Sequence, residues 1–232
     1  MHRFFVDRAP AERAVLSGEQ ARQIATVLRL QPGERIALVA DGTEHEVELQ
    51  AIAPGQVTGK VVARRAVTTE LSFRLTLAFA VLKGDRSEEI VEASSQLGVT
   101  RLVPFMSERS VVRDLSPAKR ERWTKIAREA AETSHRGIAP AIGPLVAWPA
   151  LLDGLDHPIV LWEEATEPRL VDALSAGDPT LVVGPEGGLT ADEIAMAKSR
   201  GATVASLGRR ILRAEIAAIA AVAIVVGTRD RR

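Results

Sequence analysis

The 232-residue chain contains no cysteine, which excludes disulfides and thiolate metal sites. Only 3% of its residues are aromatic against 46% hydrophobic, so its core is expected to be aliphatic and rich in alanine. Its four histidines, His2, His45, His135 and His157, are scattered, and no two stand at metal-ligand spacing. There is no Walker-type phosphate loop, no GxGxxG opening a helix after a strand, and no recognisable elbow around a serine nucleophile. The N-terminus lacks the apolar run of a secretory signal. The longest apolar run, residues 216–227, falls well short of the roughly 20 residues that span a bilayer. These absences lead us to expect a soluble cytoplasmic protein without metal or membrane partner.

Net charge is missing too: 30 basic residues cancel 30 acidic ones, which is unusual for a nucleic-acid binder. The distribution is less even than the total. Residues 101–136 carry nine Lys or Arg, among them Arg109, Arg113 and Arg136, against five acidic residues. Either this segment contacts a polyanion, or it is a solvated helix face laced with pairs such as Glu121 with Lys125 and Lys125 with Glu129. Residues 1–70 are balanced, with nine basic and nine acidic residues.

What is present concentrates in residues 181–227. A short β-branched run at Leu181, Val182 and Val183 ends at Gly184-Pro185-Glu186-Gly187-Gly188. Proline fixes one φ there, and the two last glycines permit positive φ and close approach of a ligand. Thr190 with Glu193 three residues on predicts a capping box, Gly201 stops the helix, and residues 202–207 predict the next strand. A second tight turn, Gly208 to Leu212, leads into the last helix. Two consecutive parallel strands joined by a helix would place both turns at the carboxyl edge of one sheet, where open α/β sheets bind ligands. The last helix is apolar all round from residue 216 to 226, with five alanines, so one face is left for a second helix or a partner subunit.

The rest of the chain divides near residue 70. Residues 18–30 predict a short helix, and residues 35–39 and 45–51 predict strands paired around Asp41-Gly42. Another strand is expected at residues 57–64, and a linker at residues 66–71. Beyond it, an apolar strand at 74–82, a helix at 87–97 and a strand at 99–105 form a βαβ unit, which argues for a parallel sheet. Ser116-Pro117 opens a long helix ending near residue 137, and further strands are expected at 159–162 and 180–183.

In chain order, MHRFFV, GEQARQIATVLRLQPGERIALVADG, LKGDRSEEIVEASSQLGVTRLVPFMSERSVV, RWTKIAREAAETSHRGIAP, GPEGGLT with its acidic helix and LGRRILRAEIA together resemble the RsmE family of SPOUT methyltransferases. That family methylates N3 of a uridine in small-subunit 16S ribosomal RNA. The resemblance implies an α/β fold: a PUA-like RNA-binding β-barrel over residues 1–70 and a SPOUT methyltransferase domain over residues 71–232, with a mostly parallel sheet and a trefoil knot. It also implies S-adenosylmethionine as cofactor, a homodimer, and 16S rRNA or the assembled small ribosomal subunit as partner. Cofactor contacts are implied at Gly184, Pro185, Glu186, Gly187 and Gly188, and at Ser206, Leu207, Gly208, Ile211 and Leu212. Leu161, Trp162 and Glu163 are implied as a third wall, with Ala217 beside them. RNA contacts are implied at Arg3, Arg22, Lys83, Arg86, Arg109, Arg113 and Arg136.

Arg213 and Glu215, where the second turn becomes a helix, are the implied catalytic pair; a structural Arg–Glu ion pair is the alternative. Some positions depart from the family. Arg22-Gln23 stands where a histidine is common, and Ile216 where a threonine is common. SSQLGV and AETSHR replace TELGV and AEQSGR. Two rival functions remain, a non-catalytic RNA-binding module of the same fold and an unrelated nucleotide-binding enzyme.

Overall fold

The computed structural model describes residues 1–230. The chain divides into two units: Met1–Glu70 with Ala131–Ala139, and Leu71–Ala130 with the chain from Pro140 onward. The stretch 131–139, assigned from sequence to the second domain, is thus grouped with the first.

The first unit is a curled five-stranded sheet. Its strands are β1 (His2–Phe5), β2 (Arg13–Ser17), β3 (Arg35–Ala40), β4 (Thr43–Ala53) and β5 (Gln56–Ala66), in the order β1-β3-β4-β5-β2. β1 runs parallel to β3 and the other pairings are antiparallel. The β3–β4 hairpin turns at Asp41 and Gly42, both at positive φ (48° and 70°), as a two-residue loop demands. Register shifts in the β4–β5 ladder near Glu46/Val47 and Leu49/Ala51 add twist to a sheet that must curl. Phe4, Leu16, Ile36, Leu38, Val47, Leu49 and Val57 fill its inside.

The helix expected over residues 18–30 is shorter and irregular. α1 (Gly18–Arg22) widens into a π-helical turn at Gln23–Val27, with Leu28 N–H bonded to the Gln23 carbonyl. The wider turn keeps Ile24 fully buried, and Arg29 at φ 53° ends it.

Two arginines expected to face RNA are interior instead. Arg3 is 9% exposed; its guanidinium pairs with Glu44 and donates to the Arg136 carbonyl at 2.9 Å. Arg136 is 2% exposed and donates to both oxygens of Glu70, at 3.2 and 2.8 Å. Glu70 Oε1 also accepts from the backbone N–H groups of Gly137 and Ile138. Buried charges persist only when paired in this way, which removes both from the RNA-facing set.

His45 on β4 is 4% exposed, and neither ring nitrogen has a hydrogen-bond partner. Burial first, and the nearby Arg64 charge second, push its pKa below the ordinary value. The fold therefore favours neutral His45, whereas the unfolded chain takes up a proton below roughly pH 6.5. Stability is fully present above that pH and falls as pH drops, by at most about 1.4 kcal/mol per pH unit for one proton. Thermal melts of wild type between pH 7.5 and 5.5 are expected to show this slope, and His45→Leu should flatten it; equal slopes would clear His45 of the effect.

The second unit is built on a parallel sheet of seven strands. These are β6 (Thr76–Ala80), β7 (Arg101–Met106), β8 (Ala141–Ile142), β9 (Val146–Ala147), β10 (Ile159–Leu161), β11 (Thr180–Val183) and β12 (Thr203–Ala205). The order is β12-β10-β11-β6-β7-β8, with β9 also on β7, and every pairing is parallel. β11 and β12 are consecutive and lie parallel in one sheet, but β10 stands between them.

Helices cover both faces of this sheet, as all-parallel sheets require. They are α2 (Arg86–Gln96), α3 (Pro117–Thr133), α4 (Trp148–Asp153), α5 (Leu170–Ala173), α6 (Ala191–Ser199) and α7 (Ala214–Arg229). Leu77, Phe79, Leu181 and Val183 pack on one side with Ile90, Trp123, Val222 and Val225. Ala78, Val160 and Val182 pack on the other with Trp148, Leu151 and Ile194. α7 buries Ala214, Ala218, Ala221, Val222 and Val225, and leaves Ile216 48% exposed. Among the described residues no helix is long and apolar enough to cross a membrane, and no three His, Asp or Glu cluster as a metal site would need.

Candidate cofactor cleft

Because β10 runs parallel between β11 and β12, the segments leaving the carboxyl ends of all three emerge at one edge of the sheet. They enclose a cleft of about 910 Å³, near the upper end of ordinary small-molecule sites. Leu161, Trp162 and Glu163 line it from the end of β10. Gly184, Pro185, Glu186 and Gly188 line it from the first turn, and Leu207, Gly208, Ile211 and Leu212 from the second. Arg213, Glu215 and Ala217 close it from the start of α7.

Two residues expected in the wall stand outside it. Ser206 is 4% exposed and shapes the second turn instead, its hydroxyl accepting from the Gly208 N–H at 3.0 Å. Gly187 faces away from the cleft, toward Arg109. Five lining residues carried no expectation as ligand contacts: Glu89, Val183, Arg210, Ala214 and Ile216. Arg210 and Ile216 sit inside motifs already singled out. Glu89 comes from α2, about a hundred residues away in sequence, and no local pattern points to it.

The first turn is held tightly. The capping box at Thr190 and Glu193 is complete, with Glu193 N–H donating to Thr190 Oγ1 at 3.2 Å and Thr190 N–H to Glu193 Oε2 at 3.0 Å. Trp162 Nε1 donates to the Leu189 carbonyl at 3.3 Å, tying the β10 wall to this turn. Gly188 lies at φ 69°, and a Cβ there would sit 1.9 Å from Glu163 Oε1. Only glycine satisfies both the dihedral and the space.

Charge in the cleft is mixed. Glu186 accepts from Arg86 at 3.1 Å, so Arg86, expected on RNA, also lines the wall. Glu215 is 5% exposed in the first turn of α7, and its Oε2 has no partner. The positive end of the helix favours a carboxylate at that place. Arg213 is the exposed N-cap residue of the same helix. Among the described residues no ion pair joins Arg213 to Glu215, whose Oε2 is without a hydrogen-bond partner.

Of the other arginines and lysines expected on RNA, Arg22 and Lys83 are exposed. Arg109 and Arg113 are exposed as well, but each is also bonded to backbone: Arg109 donates to the Gly187 carbonyl at 3.0 Å, and Arg113 to the Glu108 carbonyl at 2.6 Å.

Known proteins share this arrangement. Residues 69–226 match the RNA methyltransferase domain family, and residues 16–62 the RNA methyltransferase PUA domain. The ribosomal RNA small subunit methyltransferase E of Bacillus subtilis is 33% identical over 245 residues, covering 97% of this chain and 96% of its own. The crystal structure of the Neisseria gonorrhoeae methyltransferase of the same name, bound to S-adenosyl methionine, superposes with a TM-score of 0.91 at 28% identity, covering 98% and 97%. A putative methyltransferase from Legionella pneumophila, also in complex with that cofactor, gives 0.89 at 27% identity over 97% and 96%.

Proposed function

The chain belongs to the RNA methyltransferase family, in the branch of the ribosomal RNA small subunit methyltransferase E proteins, and from this we propose that it methylates N3 of a uridine in 16S ribosomal RNA with S-adenosylmethionine as donor. The cleft fits that donor. Its adenosine can lie between the two glycine turns against backbone groups, while Glu89, Glu163 and Glu186 offer negative charge to a cationic ligand. S-adenosylmethionine supplies a methyl group made electrophilic by its sulfonium. The observation that carries the proposal is Glu215, a residue of the cleft wall whose carboxylate Oε2 is buried without a hydrogen-bond partner.

The roles of the chain's own residues follow from the acceptor. Uracil N3 bears a weakly acidic imide proton that must leave before or during attack. Glu215 accepts it or orients Arg213, and Arg213 stabilises the uracil anion. The uridine arrives unpaired or flipped, since a stacked, paired imide is out of reach. Lys83, Arg86, Arg113 and Arg22 are among the basic side chains that can hold the RNA backbone, and an rRNA substrate puts the work in the cytoplasm. Mapping methylated nucleotides in 16S rRNA from cells with and without the protein tests this reading. Identical maps, or calorimetric binding of ATP or NAD in preference to S-adenosylmethionine, would overturn it.

Finer features belong to the same proposal. A PUA-like barrel in the first unit grips the RNA, which the family match at residues 16–62 supports. A trefoil knot in the second unit belongs to the proposal through the family resemblance. A homodimer forms through the outer face of α7 and the turn before it, where Ile211 is 87% and Ile216 48% exposed. Sedimentation at low micromolar concentration is expected to give a dimer, and Ile216→Glu to shift it toward monomer. A wild-type monomer that still methylates RNA would end this part.

A further inference from the structure

The backside of the first glycine turn is held by the loop that follows β7. Ser107 and Ser110, 4% and 5% exposed, lock this loop to itself. Ser107 N–H donates to Ser110 Oγ at 2.9 Å, Ser110 N–H to the Ser107 carbonyl at 3.2 Å, and the two hydroxyls lie 3.2 Å apart. From this rigid block two bonds cross to the cofactor turn. Glu108 N–H donates to Glu193 Oε1 at 2.8 Å, and Arg109 Nη1 donates to the Gly187 carbonyl at 3.0 Å. A Cβ on Gly187 would come within 3.1 Å of Arg109 Cβ, so the glycine is what lets the arginine stem lie so close.

The peptide between Gly187 and Gly188 is therefore clamped at both ends. Its carbonyl is taken by Arg109 and its N–H by the Pro185 carbonyl at 2.9 Å. Flanked by two glycines, such a peptide has little steric resistance to flipping, because both residues reach positive and negative φ about equally well. A flip would reverse carbonyl and N–H and carry Gly188 out of the φ of 69° that it holds beside Glu163 in the cleft wall. We propose that Arg109, carried on the braced 107–110 loop, is a positioning residue for S-adenosylmethionine, keeping the Gly187–Gly188 peptide in one orientation, and is not an RNA contact.

This rests on the cleft being the donor site, so wild-type calorimetry comes first; failure of wild type to bind S-adenosylmethionine refutes that reading and not the brace. Arg109→Met keeps the packing stem and removes the donor, while Arg109→Lys keeps a donor. Arg109→Met is expected to weaken S-adenosylmethionine about tenfold, the worth of one charged-donor hydrogen bond. The donor KM should rise with kcat at saturation and the melting temperature unchanged, and Arg109→Lys should recover most of the affinity. Affinity for a 16S rRNA fragment should stay at the wild-type value. Unchanged donor affinity in Arg109→Met, or a loss confined to RNA binding, overturns the proposal. Should Arg109→Met fail to fold, Ser110→Ala, which unlocks the brace without touching the turn, is decided by the same donor affinity.

Discussion

Replacing Gly188 with valine should weaken binding of S-adenosylmethionine about a hundredfold while leaving the fold intact. Two independent costs meet at this residue. A β-branched side chain at φ 69° is a genuine outlier, and its Cβ would stand 1.9 Å from Glu163 Oε1. The turn can escape only by moving, and strain of roughly 3 kcal/mol corresponds to about a hundredfold in affinity. Calorimetry reads the loss and circular dichroism the fold. The two costs separate in a double substitution. Gly188→Ala with Glu163→Ala removes the carboxylate from the path of the new Cβ but leaves the dihedral strain, so it should recover part of the affinity lost in Gly188→Ala alone. Wild-type affinity in folded Gly188→Val would remove this turn from the binding site.

Arg213→Ala should leave donor binding unchanged and lower kcat by about 10² to 10³, the typical cost of losing one group that stabilises developing charge. The contrast with Gly188 is the point of the pair of experiments. One residue shapes the bound state; the other acts only as negative charge gathers on the base. Arg213 is exposed and, among the described residues, has no ion pair with Glu215, so its loss should not unfold the protein. A variant that loses stability but keeps kcat would make Arg213 an ordinary helix-cap residue.

The two turns of the cleft could be read from the sequence because their chemistry is local. Gly184-Pro185-Glu186-Gly187-Gly188 announces a turn, and Thr190 with Glu193 announces the helix after it; both are found, down to the capping box. The hairpin at Asp41-Gly42 was readable for the same reason. What could not be read is what depends on partners far along the chain. β1 and β2 are only four and five residues long and gain their identity from β3 and β5. Arg3 and Arg136 look like surface charge until Glu44 and Glu70 are placed beside them. The position of β10 between β11 and β12 has no signature in any window of sequence, and neither has Glu89 in the wall.

Strand order also works as a ruler. Neighbouring strands in a sheet are about 4.8 Å apart, so loops leaving two adjacent strands stand too close to admit more than a side chain. With β10 interposed, the first and second glycine turns start from strands two spacings apart, about 9 to 10 Å. That gap accepts a flat heterocycle with a contact surface on either side, and β10 itself supplies the floor through Leu161. The separation from which the two turns start is thus set by backbone hydrogen bonding and does not depend on side-chain size. Substitutions in the turns can retune which ring is preferred, but the strands that carry the turns stay two spacings apart.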